Sequence, residues 1–417
     1  MSTAAETTRP RVALTTALCF LVAVLEGYDL QIMSAIGPLL RGALHLDHQK
    51  LGIIFSASLI GLAFGATLGG YVADRLGRKP VIVISVLALG LFTISNAFAI
   101  DYPSLFLGRV LTGLAIGGAM PNTIVAVESV ADRRRSASLV TLMICGVPTG
   151  GIVAALASHS LADHLGWRGL FVFGGVLTLL VAPAIHFFLP VQKMEPRQER
   201  VRPSLANALF GGERAPATAA LWMLSVLSLG MVSLLAGWLP TLVVDKGLPP
   251  SAGFSTLLAW NVGGVFGVVM VGRVCDSRLG IRNTLVLTYL AMAAVLVVFA
   301  AGTSATTLIA FAAVVNIFVA GSHYTLYSVS PRLYPEEGQA TGVGAALAAG
   351  RIGSVLGPVV AGLFLGAGSR ASQVIMGLVP VALVCAVLVV ILCNASGGKF
   401  GRREARPDGA ALAVADT

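Results

Sequence analysis

The sequence predicts an all-α integral membrane protein of twelve transmembrane helices in two six-helix bundles, with both termini cytoplasmic. Three observations predict it. Of the 417 residues 56% are hydrophobic and only 11% charged, with mean hydropathy +0.87, against about 25% charged residues in a soluble domain. Apolar runs long enough to cross a bilayer recur from end to end without strand-like alternation, which leaves helices as the spanning structure. Finally, Lys and Arg are divided unequally between alternate loops.

The first six runs fall near 12–36, 51–72, 80–100, 103–126, 137–158 and 168–190. The first looks superficially like a signal peptide, but it is too long, lacks a small-residue cleavage site and is followed by eleven more. Residues 191–216 then interrupt the pattern with the polar, proline-bearing stretch Gln192-Lys193-Met194-Glu195-Pro196-Arg197. The second set falls near 217–243, 252–272, 283–301, 305–328, 339–365 and 371–393. The chain therefore divides into an N-terminal bundle (1–190), a cytoplasmic linker (191–216), a C-terminal bundle (217–396) and a cytoplasmic tail (397–417). Within the linker, 205–210 is either plain connection or a segment resting on the membrane surface.

Twenty-one of the 28 Lys and Arg residues lie on one side, among them Arg75, Arg78, Lys79, Arg133, Arg134 and Arg135. Five lie on the other: Arg41, Lys50, Arg168, Lys246 and Arg370. Arg109 and Arg351 sit inside runs. This asymmetry places the termini in the cytoplasm and accounts for the net charge of +9 without any nucleic-acid partner. The five cysteines, Cys19, Cys145, Cys275, Cys385 and Cys393, show no CxxC pairing and read as small apolar fillers, so neither a metal site nor a cofactor is expected. His45, His48, His159 and His164 fall in outer loops and read as solvated surface. The sequence holds no GxxxxGK[ST], HExxH or GxSxG element, which argues against direct ATP coupling and against an embedded hydrolase.

Glu26-Gly27-Tyr28-Asp29 puts two acids, three residues apart and on one helix face, deep in the first run. Each costs about 2.5–3.5 kcal/mol at mid-span, whereas Leu, Ile, Phe or Val returns about 0.3–0.6. The pair therefore needs water, a cation or a proton, and two adjacent acids resist joint ionisation. A permanent ion pair with a buried Arg is the bland alternative. Arg351, in the eleventh run, keeps its charge and has a fork suited to a carboxylate; it reads as an anchor for an anion or as a structural partner of Glu26 or Asp29. His323 and Tyr324, with Tyr327, lie in the tenth run, where histidine can relay a proton, donate a hydrogen bond or simply pack. Tyr28, Trp260 with Asn261, and Tyr324 are candidate walls for an aromatic ring, although single aromatics in helices are more often packing. Pro121-Asn122 can offer an amide to a cavity. Gly61/Gly65/Gly69, Gly113/Gly117, Gly146/Gly150, Gly263/Gly267 and Gly353/Gly357 form small-residue stripes for close helix contact.

The halves echo each other. Gly70-Tyr71-Val72-Ala73-Asp74-Arg75-Leu76-Gly77-Arg78-Lys79 follows the second run, and a degenerate copy containing Asp276 and Arg278 follows the eighth. The first copy resembles the signature of the major facilitator superfamily. That resemblance implies a cytoplasmic gate built from Gly70, Asp74, Arg75, Gly77, Arg78, Asp276 and Arg278. Within the superfamily, Glu26-Gly27-Tyr28-Asp29 is similar to the first-helix motif of the aromatic acid:proton symporter family. Met143, Cys145-Gly146-Val147-Pro148, Ala340-Thr341-Gly342-Val343-Gly344 and Gly350-Arg351 extend the likeness to its phenylpropionate branch. It implies proton-coupled import of an aromatic carboxylate, 3-(3-hydroxyphenyl)propionate or a related hydroxylated acid, by a monomer of the bacterial inner membrane. Glu26 and Asp29 would carry the proton; Arg351, His323, Tyr324, Tyr28, Asn122, Trp260 and Asn261 would bind substrate. Arg109, in Arg109-Val110-Leu111-Thr112-Gly113, matches the buried arginine of proton-driven members and either tunes the acids or fastens helices. A proton-driven efflux antiporter and a transporter-like aromatic-acid receptor are the alternatives.

Overall fold

The computed structural model describes residues 3–132, 135–190, 209–211, 214–275, 277, 279–334 and 339–396, with side chains of 3–10, 137, 327, 328 and 340 left aside. Most of the linker, the tail after Ser396, Asp276, Arg278 and the Tyr327 side chain lie outside that description. Every regular element among the described residues is a helix. The first half holds α1 (Thr3–Ala43), α2 (His48–Leu76), α3 (Arg78–Asn96), α4 (Tyr102–Val130), α5 (Ser136–Ile144) and α6 (Gly146–Phe188). The second holds α7 (Ala215–Asp245), α8 (Pro250–Cys275), α9 (Gly280–Ala301), α10 (Ala305–Leu333), α11 (Gln339–Gly366), α12 (Ala371–Met376) and α13 (Leu378–Ala395).

Eleven helices among the described residues are long and apolar enough to cross a membrane, where the sequence predicts twelve spans. The difference lies at Gly166. Residues 138–188 run as one continuous helical stretch, but inside it Gly166 adopts φ 60°, ψ −174°, a conformation open essentially to glycine alone. The fifth and sixth predicted spans lie on either side of that break.

Several helices outrun the apolar stretches that signal them, because a helix continues into the interface until a cap ends it. Asp47 caps α2 by accepting from the Lys50 amide at 2.7 Å. At α4, Asp101 accepts from the Ser104 amide while the Ser104 hydroxyl accepts from the Asp101 amide. The Ser104 hydroxyl and amide hold the Asp101 carboxyl below its usual range. Gly77, at φ 91°, ends α2 and donates to the Ala73 carbonyl, so the turn between α2 and α3 requires the signature's glycine. Lys246 donates to the Ala300 and Gly302 carbonyls, both at 2.7 Å, and so closes the end of α9.

Packing repeats between the halves. In the first, α1 lies on α6, α2 on α4, and α3 on α6; in the second, α7 lies on α11, α8 on α10, and α9 on α13. The glycine stripes make these contacts. A methyl group on Gly61 would run into the Val110 carbonyl of α4, and one on Gly263 into the Ala313 carbonyl of α10. Across the halves, α2 meets α11, α6 meets α8, and α1 meets α7. Trp238 of α7, fully buried, joins them: its indole N–H donates to the Pro358 carbonyl at 2.9 Å and its ring packs edge-on against Phe55.

Candidate functional site

Gly27 sets the geometry of the acidic motif. A side chain there would collide with the Val147 backbone, so the glycine lets α1 lie directly on α6. Glu26 and Asp29 are both buried, at 2% and 1% exposure, yet they are held differently. Asp29 forms an ion pair with Arg109 of α4, whose Nη1 lies 2.9 Å from Oδ2 and 3.1 Å from Oδ1, and it accepts from the Thr93 hydroxyl at 2.8 Å. Arg109 Nη2 also donates to the Asp29 carbonyl oxygen. Glu26 receives no hydrogen bond from any described residue; its Oε1 is buried without a partner. The two acids, read from the sequence as one proton-coupling pair, are therefore held differently. Asp29 has its cation, as the bland alternative held, and Glu26 has none among the described residues. Thr93 gave no signal in the sequence, because a threonine in an apolar helix resembles packing until its partner is seen.

In the other half, α10 and α11 bring together His323, Tyr324 and Arg351. The His323 and Tyr324 rings lie 5.5 Å apart, nearly edge to face, and the Arg351 charge acts on both. Tyr324 also lies within electrostatic reach of Cys145, at the start of α6 in the opposite half. Arg351 is half-buried and has no ion-pair partner among the described residues, so the structure does not make it the counter-ion of Glu26 or Asp29.

Other predicted site residues are placed elsewhere. Tyr28 points away from the acids: its hydroxyl donates to the Leu170 carbonyl at 2.9 Å, and its ring lies over Gly174 and 6.0 Å from Phe173. Two residues beyond Glu26, it necessarily leaves on another helix face. Trp260 is core, at 2% exposure, while its carbonyl accepts from Asn316 Nδ2 at 2.7 Å. Asn122 donates to the Gly118 carbonyl at 2.8 Å and accepts from Arg78 Nη1 at 3.4 Å. It thus braces the signature instead of presenting a free amide. Asn261 does lie where the halves meet, its amide against Gly151 of α6.

At the signature end, Arg75 stacks over Tyr71, 4.2 Å from the ring centroid. Gly70 has open space around it, and Asp74 is exposed. Asp276 and Arg278, the opposing part of the expected gate, fall outside the described residues. At the opposite end Arg41 Nη1 lies 2.8 Å from Asp245 Oδ1 and His48 Nε2 lies 3.1 Å from Oδ2. The His48 ring also stacks on Trp238 at 6.0 Å. His48 is therefore part of a contact between halves and not plain solvated surface; the missed signal was Asp245, a lone acid ending an apolar helix.

Comparison with known proteins accords with this architecture. The family model described as Major Facilitator Superfamily matches residues 19–304 and 271–412. A 3-(3-hydroxy-phenyl)propionate transporter of Escherichia coli (strain K12) is 36% identical over 384 residues, covering 92% of this chain and 94% of its own. A 4-hydroxybenzoate transporter, PcaK, of Pseudomonas aeruginosa is 32% identical over 409 residues, covering 89% and 91%. Among solved structures, the xylose transporter XylE from E. coli in its inward open conformation superposes with TM-score 0.75 at 15% identity, covering 95% of this chain and 98% of its own.

Proposed function

The chain belongs to the major facilitator superfamily, and from that premise we propose that this multi-pass membrane transporter imports an aromatic carboxylate together with protons by alternating access. Hydroxylated acids such as 3-(3-hydroxyphenyl)propionate are the leading substrates, on the likeness to the E. coli transporter. One observation carries the reading. Among the described residues, a guanidinium without an anion, Arg351, and a carboxyl without a donor, Glu26, are held in opposite halves of the same apolar body. Each is costly in that setting unless a mobile partner completes it. An organic anion suits Arg351, whose planar fork matches a carboxylate. A proton suits Glu26. His323 and Tyr324 flank the anchor, and Asn261 adds an amide at the junction of α6 and α8. Asp29 stays paired with Arg109 while Glu26 loads and unloads.

The accompanying topology is twelve spans, counting two around Gly166, in bundles 1–190 and 217–396, with linker 191–216 and tail 397–417 on the cytoplasmic side together with both termini. The carrier works as a monomer in the inner membrane, and the signature residues Gly70, Asp74, Arg75, Gly77, Arg78, Asp276 and Arg278 gate its cytoplasmic face.

The test is uptake into proteoliposomes of labelled 3-(3-hydroxyphenyl)propionate, with benzoates, phenylacetates and cinnamates as competitors. Accumulation under an acid-outside gradient, stopped by a protonophore, is expected. Uptake indifferent to both would reject coupling, and accumulation of none of these acids would reject the substrate class.

A further inference from the structure

Three ionisable side chains at the end away from the signature divide unevenly between the halves. The first half supplies Arg41, in the last turn of α1, and His48, the first residue of α2; the second supplies Asp245, the last residue of α7. They share one carboxylate, with Arg41 Nη1 2.8 Å from Oδ1 and His48 Nε2 3.1 Å from Oδ2. Trp238, also of the second half, lies 6.0 Å from the His48 ring, where an aromatic face favours a cation. All three ionisable side chains keep 20–30% exposure, so protons reach His48 directly from that face of the protein.

The other ionisable groups around His48 are engaged, distant or fixed to its own half. Asp47 caps α2 and lies 3.9 Å from Lys50, and His45 sits in the turn before it, all beside His48 in the first half. On α4, Tyr102 is near Asp47, and Asp101 is bound to Ser104. Lys246, next to Asp245, is spent on the Ala300 and Gly302 carbonyls. From α11, Gly362 meets the His48 backbone; Arg351, the charged residue in that helix's sequence, lies three turns away, and Arg370 follows before α12.

This division matters when the halves separate. Arg41 and His48 ride on one body and Asp245 with Trp238 on the other, so the basic pair stays together while the anion leaves. With Asp245 between them, a protonated His48 gains an ion pair. With Asp245 gone, it faces the fixed charge of Arg41 and the positive end of α2. Histidine is the side chain whose charge ordinarily changes between about pH 5 and 8. Resting on the import reading and topology above, which make this the outer end, we infer that His48 is a second proton site, filled as the outer end closes and emptied to the same side as it opens. That proton is not carried across. It biases the carrier: acid outside holds the outer end closed behind a loaded substrate, and import is rectified with no change in the number of coupled protons. The effect has a ceiling, because a part-exposed ion pair alters the open–closed ratio by no more than about fivefold. Glu26 moves the coupled proton, and His48 reads the acidity that supplies it.

The experiment measures the width of that end without any substrate. Spin labels at positions 43 on α1 and 251 on α8 are placed in the full-length carrier in nanodiscs, with the part-exposed Cys145 and Cys275 replaced by serine. Glu26→Gln is added throughout, which takes the coupled proton out of the measurement. The closed-to-open ratio should rise roughly two- to fivefold between pH 8 and pH 5. Adding His48→Gln, which is always neutral, should hold the alkaline value at every pH, and His48→Lys, which stays charged, the acid value. Asp245→Asn should also abolish the response. Each variant is its own reference across pH, so a general loosening of the end cannot imitate the result. Transport supplies the second arm: with Glu26 intact, His48→Gln should still accumulate substrate under an acid-outside gradient, at an unchanged proton-to-substrate ratio. A His48→Gln carrier that keeps the full pH response, or a parent that shows none, would overturn the assignment. So would loss of all gradient-driven accumulation in His48→Gln, which would put His48 on the coupled route. A wild type that accumulates no aromatic acid would reject the import reading, and the distances would still decide whether His48 binds a proton on closure.

Discussion

Arg109 on α4 and Asp29 on α1 form an ion pair inside the first bundle, Nη1 to Oδ2 2.9 Å, with side chains 1% and 2% exposed. Neither charge has water to fall back on. Removing one partner of such a pair typically costs about 3–5 kcal/mol, because the survivor is left buried and uncompensated, whereas removing both can be close to neutral. Arg109→Met and Asp29→Leu are each expected to lower the unfolding temperature of the purified carrier sharply, and the double variant to recover much of the loss. Strictly additive losses in a thermal-unfolding cycle would show that the two residues do not stabilise each other.

Glu26 lies one helical turn from Asp29 but has no donor or cation among the described residues. Replacing it by glutamine keeps the shape and fixes the neutral state. Glu26→Gln should therefore leave the fold intact and permit exchange of labelled for unlabelled acid, while abolishing concentration of substrate under an acid-outside gradient. Persisting gradient-driven accumulation in that variant would remove Glu26 from the coupling step. Asp29→Asn should also fail to accumulate, but with a loss of thermal stability that Glu26→Gln does not share.

Arg351→Lys preserves the charge and discards the fork. A point charge cannot hold a carboxylate bidentately, so the expected result is a rise in KM for the acid of roughly ten- to a hundredfold with kcat less affected, the loss of about one charge-assisted hydrogen bond. Amide analogues of the substrate, which carry no charge, should be indifferent to the change. An unaltered KM for the acid would place the anchor elsewhere.

Much of the fold was legible because a bilayer leaves so few choices. Span positions follow from apolarity alone, and the stripes at Gly61 and Gly263 announce the close helix contacts they make. The break at Gly166 was not legible: a glycine among so many apolar residues carries no mark of its backbone angle. The site was legible at the level of residue type. An acid or an arginine in a membrane span stands out, as Glu26, Asp29, Arg109 and Arg351 do. What each of them touches was not. Tyr28 and Asn122 were read as facing a cavity, yet one hydroxyl is consumed by the Leu170 carbonyl and the other side chain by Gly118 and Arg78. Helical spacing gives the face of one helix and is silent about which neighbour that face meets.

Asp245 joins the halves by binding Arg41 of α1 and His48 of α2 at once, and Trp238, two turns before it on α7, packs against His48 and Phe55. All of these contacts lie at the end away from the signature, so they hold that end shut in the state described. The charged groups are part-exposed, at 20–30% for their side chains, and an ion pair so placed is worth only about 0.2–1 kcal/mol. Most of the closure must then come from the apolar contacts of Trp238 and from the backbone approach of Gly52 to Pro358 and Gly362. Asp245→Ala should shift the equilibrium between open and closed ends by only a few fold, whereas Trp238→Ala should shift it much further. A side chain forced in at Gly52 meets the Pro358 carbonyl of α11, and Gly52→Trp should prop that end open altogether. Reaction of a cysteine placed at position 34 with a membrane-impermeant thiol reagent, added from the side of Arg41 and Asp245, measures all three. The expected order of labelling is Gly52→Trp, then Trp238→Ala, then Asp245→Ala, then the parent. If Asp245→Ala labelled as fast as Gly52→Trp, the ion pairs and not the packing would be holding that end closed.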